Sequence, residues 1–382
     1  MSPADALREL RLAGQRAAAM GLETVVRLAA RRLPAPAAPP AEPSSIFVLR
    51  NNDVGDLLVV TPLFAALRTR YPQARIAAGV GGWNLDVLRH NPHLSQVLTV
   101  DAPWLNKYAR ATALGRLRYL ERDPQVERLA AERFAVGIDV AGTAWGSLLL
   151  LRAHIPYRLG VRGYAGGDSG AQATIPYAAD EHVGRMALRF AELLGCEQLP
   201  EPRPQLFLTD EETREGESWW QAAPGAGSGA RGARIVVAPG GGLPSKLWPA
   251  ERFAALTGRL AASHLVTVLA GPAETALARA VAADSGALVS QAALRGAFAL
   301  VAAADLVICN SSMAMHVAAA FGKPAVVLLG AAFPSAAAHQ RQWGYPELTR
   351  SLGKEPGRDG ELASVEAALA AADELLAGRA AA

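Results

Sequence analysis

Cysteines, aromatic residues and long hydrophobic runs are all scarce in this 382-residue chain. Cys196 and Cys309 are the only cysteines, which excludes a disulfide-stabilised fold and a cysteine-rich metal site and fits a reducing compartment. Aromatic side chains make up 6% of the residues, so most of the core must be aliphatic. No apolar run reaches the roughly 18 residues that a transmembrane helix needs, and no secretory signal is expected at the N-terminus.

A general excess of positive charge is also missing. The net charge is +3, and residues 1–33 account for it with six arginines and three acidic residues. The rest of the chain is neutral, so no nucleic-acid-binding surface is expected. Within residues 4–33, apolar residues at helical spacing alternate with arginines, and a proline-rich spacer follows. This segment is either a solvated extension or a basic amphipathic helix that lies on an anionic membrane surface.

The chain does contain a repeated alternation of short apolar strands and helices. A buried strand at residues 46–49 is followed by a predicted helix over 57–71, and the alternation restarts at Ile235 after a segment rich in proline and glycine. The pattern predicts an α/β protein with two similar doubly wound domains that face one another. The predicted divisions are a basic helix and spacer at 1–44, a first domain at 45–205 with a mobile glycine-rich loop at 163–173, a linker at 206–233 and a second domain at 234–382.

Ligands bind outside the carboxyl ends of the strands in open parallel sheets, so the loops that follow the strands are the candidate sites. The first such loop spans residues 50–56, where Asp56 is either a helix N-cap or a general base at the cleft. Another loop, at residues 271–274, offers Glu274. Its carboxylate either accepts hydrogen bonds from a ribose or favours the start of a helix.

A glycine-rich loop follows the strand that begins at Ile235. Gly240, Gly241 and Gly242 expose backbone amides just before a helix, which is the arrangement of a phosphate cradle, and Lys246 adds a positive charge. The order and spacing differ from those of a Walker A loop. The alternative is a flexible turn with a surface lysine.

A further loop, at residues 310–313, again joins a strand to a helix. Ser312 can either cap the helix or donate a hydrogen bond to a phosphate. His316 lies one turn into the helix, where it is either a packing residue or a ligand contact.

Taken in order, these loops resemble glycosyltransferase family 9, the bacterial heptosyltransferases of lipopolysaccharide core assembly. The matching segments lie within residues 45–345; they are 50–62, 91–93, 157–163, 239–249 with its Lys-x-Trp-Pro, and 310–322. The resemblance implies a GT-B fold, in which two Rossmann-like domains flank a central cleft. It also implies that the C-terminal domain binds a nucleotide sugar, usually ADP-heptose, and that the N-terminal domain binds the acceptor.

The resemblance assigns roles to single residues as well. Asp56 matches the catalytic base and Lys246 the lysine of the donor phosphates. Ser312 and His316 match the family's Asp-Ser/Thr-Gly-x-x-His, but Ser311 and Met313 stand where that motif has Asp and Gly. The chain thus loses a charge and some backbone freedom beside the donor phosphates.

The sequence therefore predicts an inverting, metal-independent glycosyltransferase without a cofactor, which moves heptose from ADP-heptose onto a lipopolysaccharide core or related cell-surface glycan. Donor contacts are expected from Gly240, Gly241, Gly242, Lys246, Glu274, Ser311, Ser312 and His316, and acceptor contacts from Lys107, Arg110, Arg158 and Arg162. We expect the protein in the cytoplasm, with or without peripheral contact to the inner membrane. The alternatives are a catalytically silent relative that binds nucleotide or glycan, and a nicotinamide-dependent oxidoreductase, whose G-x-G-x-x-G is missing after the first strand.

Overall fold

Two six-stranded sheets form the framework of the protein in a computed structural model, which describes residues 19–106, 111–224, 232–354 and 361–380. The strands of the first sheet are β1 Ser45–Leu49, β2 Arg75–Val80, β3 Gln96–Thr99, β4 Val136–Asp139, β5 Tyr157–Arg162 and β6 Ala173–Pro176. The strands of the second sheet are β7 Arg234–Ala238, β8 Leu265–Leu269, β9 Leu288–Ser290, β10 Leu306–Asn310, β11 Ala325–Leu328 and β12 Thr349–Leu352.

Both sheets have the same topology. The orders are β3-β2-β1-β4-β5-β6 and β9-β8-β7-β10-β11-β12, and every pairing between these strands is parallel. The strand order reverses between β1 and β4 in one sheet and between β7 and β10 in the other. The predicted pair of doubly wound domains is therefore confirmed, and each domain has a switch point where a ligand crevice opens.

Helices cover the faces of the sheets and bury the inner strands, whereas the edge strands are mostly half-buried. In the first half they are α1 at residues 19–30, α2 Val54–Leu58, α3 Pro62–Arg70, α4 Leu85–Leu88, α5 Ala113–Arg122, α6 Pro124–Ala131, α7 Ala144–Arg152 and α8 Val183–Leu193. In the second half they are α9 Asp210–Gln221, α10 Ala250–Ala261, α11 Thr275–Ala282, α12 Leu294–Ala302, α13 Met313–Ala320, α14 Ala336–Trp343 and α15 Val365–Ala380. No helix in these ranges is long and apolar enough to cross a membrane.

The helix predicted over residues 57–71 is in fact two helices, α2 and α3, with a turn at 59–61. Pro62 causes the break, because proline has no N–H to donate inside a helix and is tolerated only in the first turn. Helix α2 also starts earlier than predicted, at Val54, so that Asp56 lies in its first turn.

The N-terminal helix is not a solvated extension over the part that the structure describes. In α1, Val26 is fully buried in the same core cluster as Phe47 and Leu151. The Glu23 carboxylate accepts hydrogen bonds from the backbone N–H groups of Gly167 (2.5 Å) and Ser169 (3.1 Å). Helix α1 therefore anchors the loop at residues 163–173 that the sequence predicted to be mobile.

The segment predicted as a linker contains α9, which packs against α12 of the second domain. An ion pair joins them: Arg295 of α12 binds the carboxylate of Glu212. The same guanidinium donates to the backbone carbonyls of Phe207 at 2.7 Å and of Asp86 at 3.2 Å. Because Asp86 belongs to α4, Arg295 links the second domain to the first.

Candidate active site between the two sheets

The two switch points bring the candidate loops together. The loop at residues 50–53 follows β1, and residues 239–249, here called the glycine loop, follow β7. Residues 311–312 follow β10, the neighbour of β7 across the second switch point. Carboxyl ends of parallel strands share one edge of a sheet, so both domains present these loops at the cleft.

Helix α2 of the first domain packs directly against α13 of the second. A Cβ at Gly55 would lie 3.2 Å from Cδ2 of His316 and 3.5 Å from Cα of Met313, so only a small residue fits there without displacement. A Cβ at Gly242 would lie 3.8 Å from the Asp53 carboxylate, which places the glycine loop opposite the β1 loop. Asp56, in the same short helix as Gly55, is thereby held near the donor loops.

Asp56 is half-buried and is not a helix cap. Asp53 occupies the N-cap position of α2, and Asp56 lies three residues further along. Arg50 holds it: the Nε atom donates to the Asp56 backbone carbonyl at 3.1 Å, and Nη2 lies 3.5 Å from its carboxylate. The N-cap alternative is therefore excluded, and the general-base alternative remains.

Arg50 also acts on a second carboxylate through its charge, a feature that the sequence did not indicate. At the end of β4, the buried Asp139 accepts hydrogen bonds from the amides of Ala141 and Thr143. Burial raises the pKa of Asp139 to about 6, although these amides and the Arg50 charge oppose the shift. Arg50 is 7% exposed, and the bond to the Asp56 backbone holds its guanidinium toward the Asp56 carboxylate.

Asn310, the last residue of β10, clamps the glycine loop. Its Nδ2 atom donates to the carbonyl of Pro239 at 2.6 Å, and its Oδ1 atom accepts from the Trp248 backbone N–H at 2.8 Å. Both ends of the loop are thus tied to one buried amide. The sequence analysis overlooked Asn310, although a polar residue at the end of a buried apolar strand is a signal for such a role.

Glu274 faces the glycine loop and does not cap its helix. It occupies the N-cap position of α11, but its side chain makes no capping hydrogen bond. Instead its carboxylate accepts from the Gly271 N–H at 3.0 Å and lies against Gly240, where any Cβ would overlap it. The carboxylate thus stands at the start of α11 without capping it, and an acidic group lies beside the predicted phosphate cradle.

Lys246 is half-buried at the end of the glycine loop. Its Nζ atom lies 5.7 Å from the centre of the Phe333 ring, within the range of a cation–π contact. Its backbone carbonyl accepts from the Gly330 N–H at 3.1 Å, so the residues after β11 support it. The structure thus holds this lysine in place, against the alternative of a flexible surface turn.

The two polar candidates on α13 have different surroundings. Ser312 occupies the N-cap position, yet its side chain makes no capping hydrogen bond, which leaves the hydroxyl group available at the helix N-terminus. His316 is 4% exposed, and its Nδ1 atom lies 2.7 Å from the Tyr345 hydroxyl. Burial, with the nearby His182 and His339, lowers the pKa of His316 to about 3. His316 is therefore a packing residue, as one of the two alternatives predicted. It contacts α2 near Gly55 and so helps to position α13.

Ser311 is bound by His339, a buried residue that the sequence analysis did not identify. The Nε2 atom of His339 lies 2.9 Å from the Ser311 hydroxyl oxygen, and Nδ1 lies 2.8 Å from that of Ser351. Burial, together with the positive charge of Lys246, lowers the pKa of His339 to about 4, so the ring is neutral near pH 7.

The direction of these hydrogen bonds follows from Gln340. Its amide oxygen accepts from the Ser351 backbone N–H, which fixes the amide orientation, and also accepts from the Ser351 hydroxyl at 2.8 Å. Because the one hydroxyl proton of Ser351 is thus used, Nδ1 of His339 must donate to Ser351. A neutral imidazole then accepts at Nε2, so Ser311 donates its hydroxyl proton to His339.

Of the four predicted acceptor-binding residues, the structure describes Arg158 and Arg162, which have different surroundings. Arg158 is 1% exposed; its guanidinium donates to the backbone carbonyls of Gly170 (2.6 Å), Ile155 (2.5 Å) and Pro156 (3.0 Å). Its prediction as an acceptor contact is wrong, because the side chain satisfies carbonyls inside the first domain. Arg162 is exposed at the end of β5. Lys107 and Arg110 lie outside the described residues.

Metal ligands do not cluster in the described part of the chain, where no group of three or more His, Cys, Asp or Glu side chains is arranged to hold an ion.

Comparisons with known proteins agree with the geometry. The model of the family described as "Glycosyltransferase family 9 (heptosyltransferase)" matches residues 125–343. Lipopolysaccharide heptosyltransferase 2 of Salmonella typhimurium is 26% identical over 307 residues, which span 76% of this chain and 83% of that protein.

Solved structures of the family have the same fold. The glycosyl transferase family 9 structure from Veillonella parvula superposes with a TM-score of 0.71 at 19% identity, over 90% of this chain and all of that one. The structure of E. coli ADP-heptose lipopolysaccharide heptosyltransferase II gives 0.66 at 21% identity, over 88% of this chain and 99% of that one.

Proposed function

Because this chain belongs to glycosyltransferase family 9, we propose that it transfers heptose from ADP-heptose to a hydroxyl group of a lipopolysaccharide core acceptor, with inversion at the anomeric carbon. Membership makes it a heptosyltransferase-like glycosyltransferase. The donor and acceptor are taken from the relatives, since one is an ADP-heptose lipopolysaccharide heptosyltransferase and another a lipopolysaccharide heptosyltransferase.

The observation that carries the proposal is the contact of α2 with α13 across the cleft. It sets Asp56, the carboxylate of the first domain, opposite the glycine loop and the α13 N-terminus of the second domain. An inverting transfer needs this arrangement, because the base acts on the acceptor while the leaving group departs on the opposite side of the sugar ring.

In the proposed step, the Asp56 carboxylate removes the proton of the acceptor hydroxyl while that oxygen attacks the anomeric carbon. The new C–O bond forms as the bond from the anomeric carbon to the ADP oxygen breaks, so ADP leaves with the electron pair. Arg50 contributes by orientation, because its guanidinium is bonded to the Asp56 backbone and faces the carboxylate.

The second domain supplies stabilisation for the negative charge that grows on the leaving diphosphate. Lys246 offers a positive charge, the glycine loop offers backbone amides, and Ser312 offers a free hydroxyl at a helix N-terminus. These groups can act without a metal ion, which we propose for this chain. Glu274, beside Gly240, is proposed to accept from the ribose hydroxyls of the donor.

Donor binding tests the proposal with Lys246→Ala and a matched control. Lys323→Ala removes the same charge at the opposite edge of the second sheet, before β11. We expect the wild type to bind ADP better than UDP or GDP in calorimetry, and to transfer heptose from ADP-heptose in the presence of EDTA. Charge-assisted hydrogen bonds are worth roughly 1.5–3 kcal/mol, so Lys246→Ala should weaken ADP binding about tenfold or more.

AMP provides the internal reference for that measurement. Because AMP lacks the second phosphate, Lys246→Ala should affect AMP less than ADP, and Lys323→Ala should change neither. Equal losses for AMP and ADP would place Lys246 away from the diphosphate. Transfer that stops with EDTA and returns with a divalent ion would contradict the metal-independent mechanism.

A further inference from the structure

Exposed apolar side chains concentrate on one face of the first domain. Ten large apolar side chains are exposed in the described ranges, and six of them lie on α1, on α5 and in the loop that follows β5. We call this set the apolar face; it consists of Met20, Val25, Leu28, Leu114, Leu117 and Tyr164. Their exposed fractions run from 40% for Leu117 to 75% for Leu114, so they are not shielded by neighbouring residues.

Helices α1 and α5 lie on the same face of the first sheet, because Val26 of α1 and Leu120 of α5 belong to one core cluster with leucines of α7. In α5, Leu120 is buried and the Arg116 guanidinium lies 5.6 Å from the Trp145 ring of α7. On the other side, Val26 of α1 and Leu151 of α7 both lie against Gly170, within 3.3 Å of a Cβ built there. The outward sides of α1 and α5 therefore point away from the sheet together.

Arginines accompany the apolar face. Exposed arginines on α1 and in the turn after it are Arg27, Arg31 and Arg32, and those on α5 are Arg118 and Arg122. The acidic residues on the same elements are Glu23, whose carboxylate is bonded to the loop amides, and the exposed Glu121. Apolar side chains bordered by positive charge are the pattern of surfaces that bind anionic lipid headgroups and insert shallowly below them.

One member of the apolar face lies at the edge of the first sheet that faces the cleft. Tyr164 comes two residues after β5, at the same edge of the first sheet as the loop that leads to Asp56. A membrane that covers α1 and α5 would thus meet the acceptor side of the cleft at Tyr164. This orientation suits an acceptor sugar whose lipid part stays in the membrane.

We propose that α1, α5 and Tyr164 form a docking surface for an anionic lipid bilayer, which presents a lipid-linked acceptor to the cleft. The role of the surface in presenting the acceptor rests on the proposed function, but its affinity for membranes is independent of it. The N-terminal helix would then have two sides, one packed on the core through Val26 and one turned to the lipid.

Vesicle flotation tests this proposal with the full-length protein. The vesicles contain phosphatidylglycerol and phosphatidylcholine in one series and phosphatidylcholine alone in the other. The charge variant is Arg118→Gln with Arg122→Gln, and the apolar variant is Leu114→Ser with Leu117→Ser. The control is Arg259→Gln with Arg279→Gln, which removes two exposed arginines from the second domain.

The wild type should bind the anionic vesicles, and added salt should weaken the binding. Each arginine lost from the surface should lower the partition coefficient about fivefold, so the charge variant should bind roughly 25-fold more weakly. The apolar variant should bind more weakly in all salt concentrations, and the control should match the wild type. All substituted positions are exposed, and unchanged melting temperatures should show that the variants fold.

Equal vesicle binding by the wild type and both surface variants would overturn the proposal. A dimer in sedimentation experiments without lipid, dissociated by the apolar variant, would also overturn it and make this face an interface between copies. Heptose transfer to a water-soluble acceptor should be unchanged in both variants. If the wild type binds vesicles but transfers no sugar, the proposed function is wrong and the docking surface is still supported.

Discussion

At the residue scale, Asp56 is the group on which the proposed reaction depends. Asp56→Asn keeps the shape of the side chain and a contact for Arg50, but an amide cannot accept the proton of the acceptor. Loss of a general base typically costs about 10²- to 10⁴-fold, so kcat should fall by that factor while the affinity for ADP stays the same. Asp210→Asn is the control, because Asp210 also lies in the first turn of a helix but is exposed on α9. If Asp56→Asn turned over at the wild-type rate, Asp56 would not be the general base.

The hydrogen bond from the Ser311 hydroxyl to His339 gives a second prediction at this scale. In Ser311→Asp, the carboxylate has no proton to donate to Nε2 of His339, so the ring gains a proton and its pKa should rise above the present value of about 4. An NMR titration of the imidazole measures the shift. Ser312→Asp adds the same charge one residue further on, and should shift the pKa of His339 less. An unchanged pKa in Ser311→Asp would contradict the assigned hydrogen-bond directions.

Ser311 and Met313, which differ from the family motif, also allow a test of which donor the site accepts. Ser311→Asp combined with Met313→Gly restores the residues that the family resemblance implies. If ADP-heptose is the donor, kcat/KM for ADP-heptose should rise in the double variant. A fall would mean that the site is adapted to a different donor, since an added carboxylate close to a diphosphate is repelled by it.

The site residues fall into two groups according to how far their partners lie along the chain. The positions of Asp56, Lys246 and the three glycines beside the cleft were predictable, because each follows the carboxyl end of an apolar strand after a short stretch of chain. Asn310 and His339 were not, since Asn310 clamps a carbonyl 71 residues away and His339 binds a hydroxyl 28 residues away. Arg158 was misassigned for a different reason. Its partners Ile155, Pro156 and Gly170 lie close to it along the chain, but the sequence does not show that the guanidinium turns inward to bind their carbonyls.

At the element scale, the sequence pattern predicted eight of the twelve strands, including the edge strand β3, and missed β5, β6, β9 and β12. Buried strands such as β1 and β10 are largely apolar runs, whereas β6 and β12 at outer edges contain polar residues, and β6 also ends in a proline. The pattern also missed the docking of α1, because the amphipathic stripe of a membrane-surface helix and that of a packed helix are alike in sequence. Here the deciding contact comes from Glu23, a polar residue.

Glu23→Gln therefore tests the docking of α1. Burial raises the pKa of Glu23, but hydrogen bonds from Ser169 and Gly167 outweigh this and hold it below the ordinary 4.5. A lowered pKa contributes stability that is present above pH 4.5 and is lost as the pH falls through the lowered value. We expect the melting temperature of Glu23→Gln to be a few degrees below the wild type at pH 7, with the two values converging in acid.

Glu42→Gln is the control for that measurement, because Glu42 makes an ion pair with Arg70 but its side chain is 71% exposed. Exposed pairs contribute about 0–1 kcal/mol, so its melting temperature should stay close to the wild type. A Glu23→Gln protein with the wild-type melting temperature at pH 7 would show that the Glu23 carboxylate adds nothing to the stability of the fold.

At the scale of the whole molecule, the two domains meet at buried groups that have to remain neutral. His182 precedes α8 of the first domain, and its ring lies 5.3 Å from that of Tyr345, whose hydroxyl is bonded to His316 of α13. Burial lowers the pKa of His182 to about 4, although the Trp343 backbone opposes the shift, and that of His316 to about 3. These two histidines therefore stay unprotonated in the folded protein at a pH where the same residues of the unfolded chain bind protons.

The protein should therefore lose stability in mild acid, and replacing one of these histidines should make that loss measurably smaller. A histidine with an ordinary pKa of 6.5 that is held near 4 in the fold binds protons only after unfolding, so stability falls as the pH drops from about 6.5 to 4. Each such histidine contributes up to about 1.4 kcal/mol per pH unit. His182→Asn keeps an acceptor for the Gly184 N–H at the start of α8 but does not titrate, so urea unfolding of this variant should depend less steeply on pH by about that amount. His154→Asn, at an exposed position with φ 55° where asparagine is well tolerated, should keep the wild-type slope. If His182→Asn and the wild type lose stability equally between pH 6.5 and 4, His182 is protonated in the folded protein and the junction of the domains is not the acid-sensitive part of the molecule.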